Sequence, residues 1–149
     1  MVSLAQGNLL DAKVDALVNP VNTVGVMGKG LALQFKKAFP ANTRAYEAAC
    51  KRGEVRVGAM FVFETGPECP RFVVNFPTKE HWRSPSKMAY VDDGLVALVA
   101  EVRARDIRSI AIPALGAGLG GLAWDDVRPR IEAAMAALVE VDVRLYPPL

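Results

Sequence analysis

Residues 113–121 read PALGAGLGG, and this stretch carries the strongest structural signal in the chain. It follows an apolar run typical of a strand and precedes a helical pattern. Residues 116–121 contain four glycines, which allow the backbone to approach a ligand closely and to direct several N–H groups at one anion. The start of a helix just beyond adds partial positive charge. The stretch therefore predicts a cradle for a phosphate or diphosphate, with an ordinary flexible connection as the alternative.

The same loop also has the spacing of the dinucleotide-binding fingerprint. Gly116, Gly118 and Gly121 fit G-x-G-x-x-G, and Asp142 lies at about the expected distance downstream. A domain that binds a nicotinamide dinucleotide places this loop near its beginning and continues the sheet after it. Only one further strand follows here, so the sequence disfavours that class.

Short apolar runs alternate with helical periodicity along the whole chain. Most of the runs are continuously apolar, which favours strands covered on both faces, and the alternation predicts one α/β domain over residues 1–149 with a mostly parallel sheet between helical layers. The predicted strands cover residues 2–5, 16–19, 60–63, 72–76, 107–113 and 141–146. The first predicted helix runs from Lys29 to Phe39, and the second from an N-cap at Asn42 to a C-cap at Gly53. The third begins with Ser84 as N-cap and Pro85 as its first residue, and the fourth begins near Asp125 and Asp126.

Composition excludes several classes of function. The 149 residues are 52% hydrophobic and 23% charged, which is typical of a globular domain. The net charge of +2 excludes a strongly basic chain that binds DNA by charge alone, although a local basic patch is possible. Two cysteines and one histidine cannot supply the four ligands of a structural zinc site, so we expect neither a metal nor a cofactor. The sequence has no stretch resembling a membrane span and no secretory signal, so we expect a cytoplasmic protein.

Ligands of parallel sheets lie beyond the carboxyl ends of the strands, which directs attention to the loops after Asn19 and after Phe76. The first loop presents Asn19 and Asn22, whose amides suit ribose hydroxyls, although both could equally be turn residues. Its Gly-Lys-Gly at residues 28–30 lacks the Ser or Thr that a Walker A loop needs after lysine.

The second of these loops, residues 75–87, mixes cations with aromatic side chains. Bases stack on Trp or His while Lys and Arg meet phosphates, so the loop could contact single-stranded nucleic acid. The alternative is a solvated loop whose Trp82 packs on the core. Lys79 follows the end of a strand, where a partly desolvated amine could act as nucleophile or base, although most lysines are surface charges.

Together these loops resemble those of the macrodomain family, whose members bind ADP-ribose in a three-layer α/β/α sandwich with a central mixed, mostly parallel sheet. The correspondence covers residues 3–146 and is carried by residues 7–10, 15–22 and 116–120, followed by Trp124. Three longer stretches are similar to the macrodomains of the DarG antitoxins: residues 22–32, 75–83 and 113–122.

The resemblance implies an activity. DarT toxins attach ADP-ribose to thymidine bases in single-stranded DNA, and DarG macrodomains remove it. The implied function is therefore that of a DNA ADP-ribosyl glycohydrolase, an antitoxin that hydrolyses the bond between ribose and base. Its substrate would be ADP-ribosylated single-stranded DNA, and its product would be ADP-ribose. A cognate DarT toxin is the implied partner, and no association with a membrane is implied. A reader that binds ADP-ribose without hydrolysis, and a hydrolase of ADP-ribosyl esters on proteins, are the alternatives.

The resemblance also implies residue roles. Lys79 matches the catalytic lysine of related glycohydrolases, as nucleophile or as charge stabiliser, and Asn22 orients the distal ribose. Two positions depart from the family: Asn8 stands where many members have Asp, and Gly120 stands where the glycohydrolases acting on acidic side chains have Asp. The implied ADP-ribose-binding residues are Asn8, Leu9, Asn19, Pro20, Val21, Asn22, Gly30, Leu31, Thr78, Gly116, Ala117, Gly118, Leu119, Gly120 and Tyr146. The implied DNA contacts are His81, Trp82 and Arg83.

Overall fold

One sheet runs through the computed structural model, which describes residues 1–148; Leu149, the last residue of the predicted domain, lies outside the described residues. The strands are β1 (Val2–Leu4), β2 (Ala16–Val21), β3 (Phe61–Glu64), β4 (Phe72–Pro77), β5 (Ser109–Ile112) and β6 (Asp142–Leu145). Their order in the sheet is β1-β6-β5-β2-β4-β3, and every neighbouring pair is parallel except β3 with β4. This confirms the predicted α/β fold with a mixed, mostly parallel sheet.

Helices cover both faces of the sheet, because alternate residues of the central strand β2 point to opposite sides. The helices are α1 (Gly30–Ala38), α2 (Pro40–Lys51), α3 (Met88–Ala104) and α4 (Trp124–Met135), and a 3-10 turn spans Leu9–Asp11. Ala16 and Val18 pack in the core formed with α3 and α4, whereas Leu17 packs in the core that contains Phe35 of α1. Among residues 1–148, no helix is both long and apolar enough to span a membrane.

Strand β2 extends beyond the predicted end at Asn19 and continues through Pro20 to Val21. Proline lacks the N–H that a sheet ladder uses. Here β5 pairs with β2 only at Ala16 and Leu17, so nothing on that side needs an N–H from Pro20. The extension carries the strand as far as the loop that begins at Asn22.

Two predicted helix starts are wrong. Helix α2 begins with Pro40 rather than with Asn42 as its N-cap, since proline suits a first turn whose N–H groups have no partners. Asn42 lies inside that turn and is fully buried. Helix α3 begins at Met88, not at Pro85, because the backbone around Ser86 is held in another contact: its N–H donates to Gly120 O at 3.0 Å.

Helix α3 packs closely on β4 at a single glycine. An ideal Cβ built on Gly94 would lie far inside van der Waals distance of the Phe76 ring, whose Cε2 would be 3.2 Å away. The side chain of Phe76 is fully buried and cannot move aside. Gly94 therefore sets the distance between this helix and the strand that leads to the candidate site.

We expect Gly94→Ala to lower the free energy of unfolding by about 1–3 kcal/mol, because overpacking at Phe76 outweighs the better helix propensity of alanine. Urea denaturation measures this change. Val96→Ala, on the exposed side of the same helix with 74% of the valine accessible, should stay within about 0.5 kcal/mol of the wild type. A stabilised Gly94→Ala protein would contradict the packing described here.

Candidate functional site

The loops that follow β2 and β4 lie side by side at the carboxyl ends of the strands. Val21 pairs with Pro77 in the parallel register, and Thr78 N–H donates to Val21 O at 2.9 Å. Beyond the sheet, Thr23 donates to Glu80 O through both its N–H (3.0 Å) and its Oγ1 (2.7 Å). These bonds bring the segments that carry Asn22 and Lys79 to the same edge of the sheet.

The glycine loop presents unpaired backbone donors. Gly121 and Leu122 donate to Gly118 O and Gly116 O and close the loop on itself. Within the part of the chain that the structure describes, the amides of Gly116, Gly118, Leu119 and Gly120 have no hydrogen-bond acceptor. Several amides on one short loop, left without partners, can converge on one anion. The loop therefore has free donors of the kind that a phosphate cradle uses, and the cradle itself stays a prediction.

The N-terminus of α1 faces this loop. A Cβ on Gly30 would lie 3.1 Å from Leu119 Cδ1, so the Leu119 side chain reaches from the glycine loop to the first residue of α1. Lys29, the N-cap residue, contributes no capping side-chain bond, and the first turn carries no acidic residue. The positive end of the α1 dipole is therefore not neutralised by a side chain of its own helix.

Position 120 cannot carry a side chain in this structure. A Cβ on Gly120 would lie 2.6 Å from Gly116 O, 2.9 Å from Ser86 Cβ and closer still to Ser86 Oγ. Gly116 is similarly confined, since its Cβ would lie 2.8 Å from Leu122 Cδ1. The loop keeps its shape only with glycine at these two positions, and Ser86 occupies the space in front of them.

Three buried asparagines join the elements below the site. Asn75 Oδ1 accepts hydrogen bonds from Asn19 Nδ2 (3.1 Å) and Asn42 Nδ2 (3.3 Å), while Asn75 Nδ2 donates to Asn42 Oδ1 (2.8 Å) and Phe61 O (3.0 Å). The side chains of Asn19, Asn42 and Asn75 are all fully buried. The Asn19 side chain therefore supports the strands from inside the core, and its predicted contact with ADP-ribose stays a prediction.

Asn42 and Asn75 were not among the predicted site residues. Asn75 is a single polar residue in the otherwise apolar strand FVVNFP. A buried amide in such a strand requires a partner, so this position could have been recognised as part of a polar contact. Nothing local in the sequence indicates that the partner is Asn42 on another element.

Asn22 holds its own loop in shape. Its Oδ1 accepts from Val24 N–H (3.1 Å), Val26 N–H (3.3 Å) and Tyr46 OH (3.0 Å), and its Nδ2 donates to Val26 O (2.8 Å). Burial raises the pKa of Tyr46, so that hydroxyl stays protonated and donates. One Nδ2 hydrogen of Asn22 is left for a ligand, and its predicted role toward the distal ribose stays a prediction.

Lys79 lies half-buried at the start of the loop after β4, and its Nζ donates to Trp82 O at 3.3 Å. The His81 and Trp82 rings stack with centroids 5.3 Å apart, and the Arg83 guanidinium carbon lies 4.4 Å from the Trp82 ring centroid. Trp82 is 42% exposed, so it contacts its loop neighbours and solvent instead of packing into the core. The predicted DNA contacts of these three residues stay predictions.

Three of the predicted ADP-ribose-binding residues share one apolar cluster. Leu31 and Tyr146 pack against the apolar cluster that contains Leu9. Asn8 Oδ1 accepts from Leu10 N–H at 3.0 Å, which leaves Asn8 Nδ2 as a donor at the surface. The other predicted contacts differ in accessibility: Val21 and Thr78 are 4% exposed, and Pro20 and Ala117 are half-buried.

Other reactive side chains lie apart from this arrangement or are unsuited to catalysis. Burial raises the pKa of the Cys50 thiol, which disfavours the nucleophilic thiolate. No group of His, Cys, Asp and Glu within residues 1–148 could hold a metal ion. A groove of about 570 Å³ lies on another face, between α3 and α4, but its lining is mostly apolar and includes Leu95, Val96 and Val99. The loops at the strand ends therefore form the better candidate site.

The family model and solved structures match this chain to macrodomains, and curated relatives match it to DNA ADP-ribosyl glycohydrolases. A model of the macro domain matches residues 18–131. The chain is 56% identical over 150 residues to the DNA ADP-ribosyl glycohydrolase of Thermus aquaticus, covering 100% of the chain and 42% of that protein. The macrodomain of Mycobacterium tuberculosis DarG matches with a TM-score of 0.98 and 53% identity, covering 100% of this chain and 99% of that one. Thermosipho africanus DarTG in complex with ADP-ribose matches with a TM-score of 0.93 and 35% identity, covering 99% of this chain and 42% of that one.

The matched region is only part of the DNA ADP-ribosyl glycohydrolases that this chain matches. The chain spans 42% of the length of the curated relatives it matches. The likeness therefore concerns one part of those proteins.

We expect Gly120→Ala to lower the free energy of unfolding by about 1–3 kcal/mol, because its Cβ meets Gly116 O and Ser86. Gly118→Ala is the matched control: a Cβ there has nothing within 4 Å, so its stability should match the wild type. Thermal and urea denaturation measure both. Equal stability of the two variants would contradict the interlocked geometry of the loop.

Proposed function

The chain belongs to the macrodomain family, and we propose that it acts as a DNA ADP-ribosyl glycohydrolase. In this proposal it removes ADP-ribose from thymidine bases in single-stranded DNA, reverses the modification made by a DarT toxin, and does so in the cytoplasm. The support from relatives is the 56% identity, over the whole chain, to a protein that carries this name. The similarity to a DarTG structure solved with ADP-ribose supports the ligand.

The observation that carries the proposal is the loop of unpaired amides, which follows β5 at the same edge of the sheet as the loops that carry Asn22 and Lys79. The amides of residues 116–120 and the N-terminus of α1 suit the two phosphates of ADP-ribose. Leu9, Leu31 and Tyr146 provide the apolar wall that an adenine ring needs. In this proposed orientation the distal ribose would extend toward the loops that hold Asn22 and Lys79.

Lys79 has two chemical roles open to it. Cleavage of the N-glycosidic bond builds positive charge on the ribose and negative charge on the departing thymine. A neutral amine can attack the anomeric carbon and displace the base, after which water releases ADP-ribose from the amine. A charged ammonium can instead stabilise the departing base while water attacks. In either route residue 120 supplies no carboxylate, because it is a glycine. Ser86 and Gly116 O occupy the space that a side chain there would need.

The strand of DNA would leave the site across the exposed loop after β4. Its stack of His81, Trp82 and Arg83 combines ring faces with a cation. Unpaired bases stack on such surfaces while their phosphates meet the cations. This loop also carries Lys79, so the same segment would hold the DNA and act on the sugar.

We expect Lys79→Ala to lower the rate of ADP-ribose release from an ADP-ribosylated single-stranded oligonucleotide by about 100-fold or more, with ADP-ribose affinity changed only a few-fold. Single-turnover assays and calorimetry measure the two quantities. Lys51→Ala, an exposed lysine at the end of α2, should behave as the wild type. Full activity of Lys79→Ala would exclude both roles of the amine, and wild-type binding without turnover would show a reader instead of an enzyme.

The pH dependence of the wild-type rate should separate the two roles. The nucleophilic route requires the neutral amine, so its rate increases with pH. The stabilising route requires the charged ammonium, so its rate decreases with pH. Mass spectrometry of the reacting protein provides the second measurement, since only the nucleophilic route forms an adduct on Lys79.

We expect Trp82→Ala to weaken the use of a long oligonucleotide substrate by about 5-fold to 100-fold, which corresponds to the loss of one stacked base. Affinity for free ADP-ribose should stay unchanged, because Trp82 lies on the exposed loop and not at the glycine loop. Comparison of kcat/KM for long oligonucleotides and for an ADP-ribosylated mononucleoside tests this. An equal loss with both substrates would contradict a role in contacting DNA.

A further inference from the structure

Ser86 lies against the glycine loop, in the segment that joins β4 to α3. It is 5% exposed, and its N–H donates to Gly120 O at 3.0 Å. Its hydroxyl oxygen is buried and has no hydrogen-bond partner within residues 1–148. Ser86 is not among the site residues predicted from the sequence.

The hydroxyl points between the two ends of the loop. A Cβ built on Gly116 would lie 3.2 Å from Ser86 Cβ and 3.5 Å from Ser86 Oγ, and a Cβ on Gly120 would be closest of all to Ser86 Oγ. The unpaired amides of Gly116, Gly118, Leu119 and Gly120 belong to the same loop. Ser86 Oγ therefore lies beside a set of donors that all lack acceptors.

A buried hydroxyl without a partner is unfavourable, and most such groups in folded proteins are bonded. The backbone around Ser86 offers it little: Gly116 O already accepts from Leu122 N–H, and Gly120 O accepts from Ser86 N–H. The Ser86 hydroxyl therefore lacks a free acceptor oxygen near it. A diphosphate seated on the loop would bring such oxygens next to the hydroxyl.

We propose that the Ser86 hydroxyl is a further hydrogen-bond donor to the diphosphate, acting with the amides of the glycine loop. This inference rests on the proposed function, since it concerns the same bound nucleotide. It assigns a side-chain donor to a cradle otherwise made of backbone. It also gives the unpaired hydroxyl a partner that is present only in the complex.

The test compares the wild type with Ser86→Ala and, as a matched control on the same segment, Ser84→Ala. Calorimetry measures the affinity for ADP-ribose and for ADP, which share the diphosphate. We expect Ser86→Ala to bind both nucleotides about 10-fold more weakly, as for the loss of one hydrogen bond to a charged group. Its unfolding temperature without ligand should equal or exceed that of the wild type, because the hydroxyl has no hydrogen-bond partner within residues 1–148. Ser84→Ala should bind as the wild type does.

Three results would overturn the inference. Unchanged affinity of Ser86→Ala for both nucleotides would show that the hydroxyl does not contact them. Weaker binding together with a clearly lower unfolding temperature would assign Ser86 to the support of the loop alone. A loss confined to ADP-ribose would place the hydroxyl at the distal ribose. If the wild type binds neither nucleotide, the proposed function is wrong as well, whereas the first three results leave it standing.

Discussion

A single buried amide, that of Asn75, connects the elements on which the site stands. It bonds Asn19 on β2, Asn42 on α2 and the backbone of Phe61 on β3. Each such bond adds only about 1 kcal/mol, but a buried donor left without its partner costs about 1–3 kcal/mol. The three amides therefore hold one another in a single arrangement. Both the Asn22 loop and the Lys79 loop begin within a few residues of them, so their relative position depends on this contact.

Above this rigid base, the molecule leaves its backbone donors at the carboxyl ends of the strands unpaired. Gly118 and Leu119 are exposed, so water satisfies their amides in the free protein at little cost. The N-terminus of α1 adds its positive end at the same place. Since the sheet and the asparagine contact supply the stability, the glycine loop is free to keep its donors for an anion.

Ser86 and the loop residues Gly116 and Gly120 are confined by one another. A side chain on Gly120 would meet Ser86 and Gly116 O, and one on Gly116 would meet Leu122 and then Ser86. Ser86 in turn is buried against this loop. A glycine-rich loop is commonly associated with flexibility. Here the bonds from Leu122 to Gly116 and from Ser86 to Gly120 give it a defined shape, which a diphosphate site needs.

The sequence by itself predicted the α/β fold, the mostly parallel sheet and the three loops that form the site, because apolar periodicity and glycine content are local properties of the chain. The tertiary structure decided what individual polar residues do. Asn42 has the chemistry of a helix cap and Ser84 with Pro85 that of a helix start, yet Asn42 turns inward to Asn75 and the backbone of Ser86 bonds Gly120. Asn19 has the chemistry of a ribose ligand, yet it is fully buried. Such roles depend on partners from distant parts of the chain, and no local pattern contains the position of a partner.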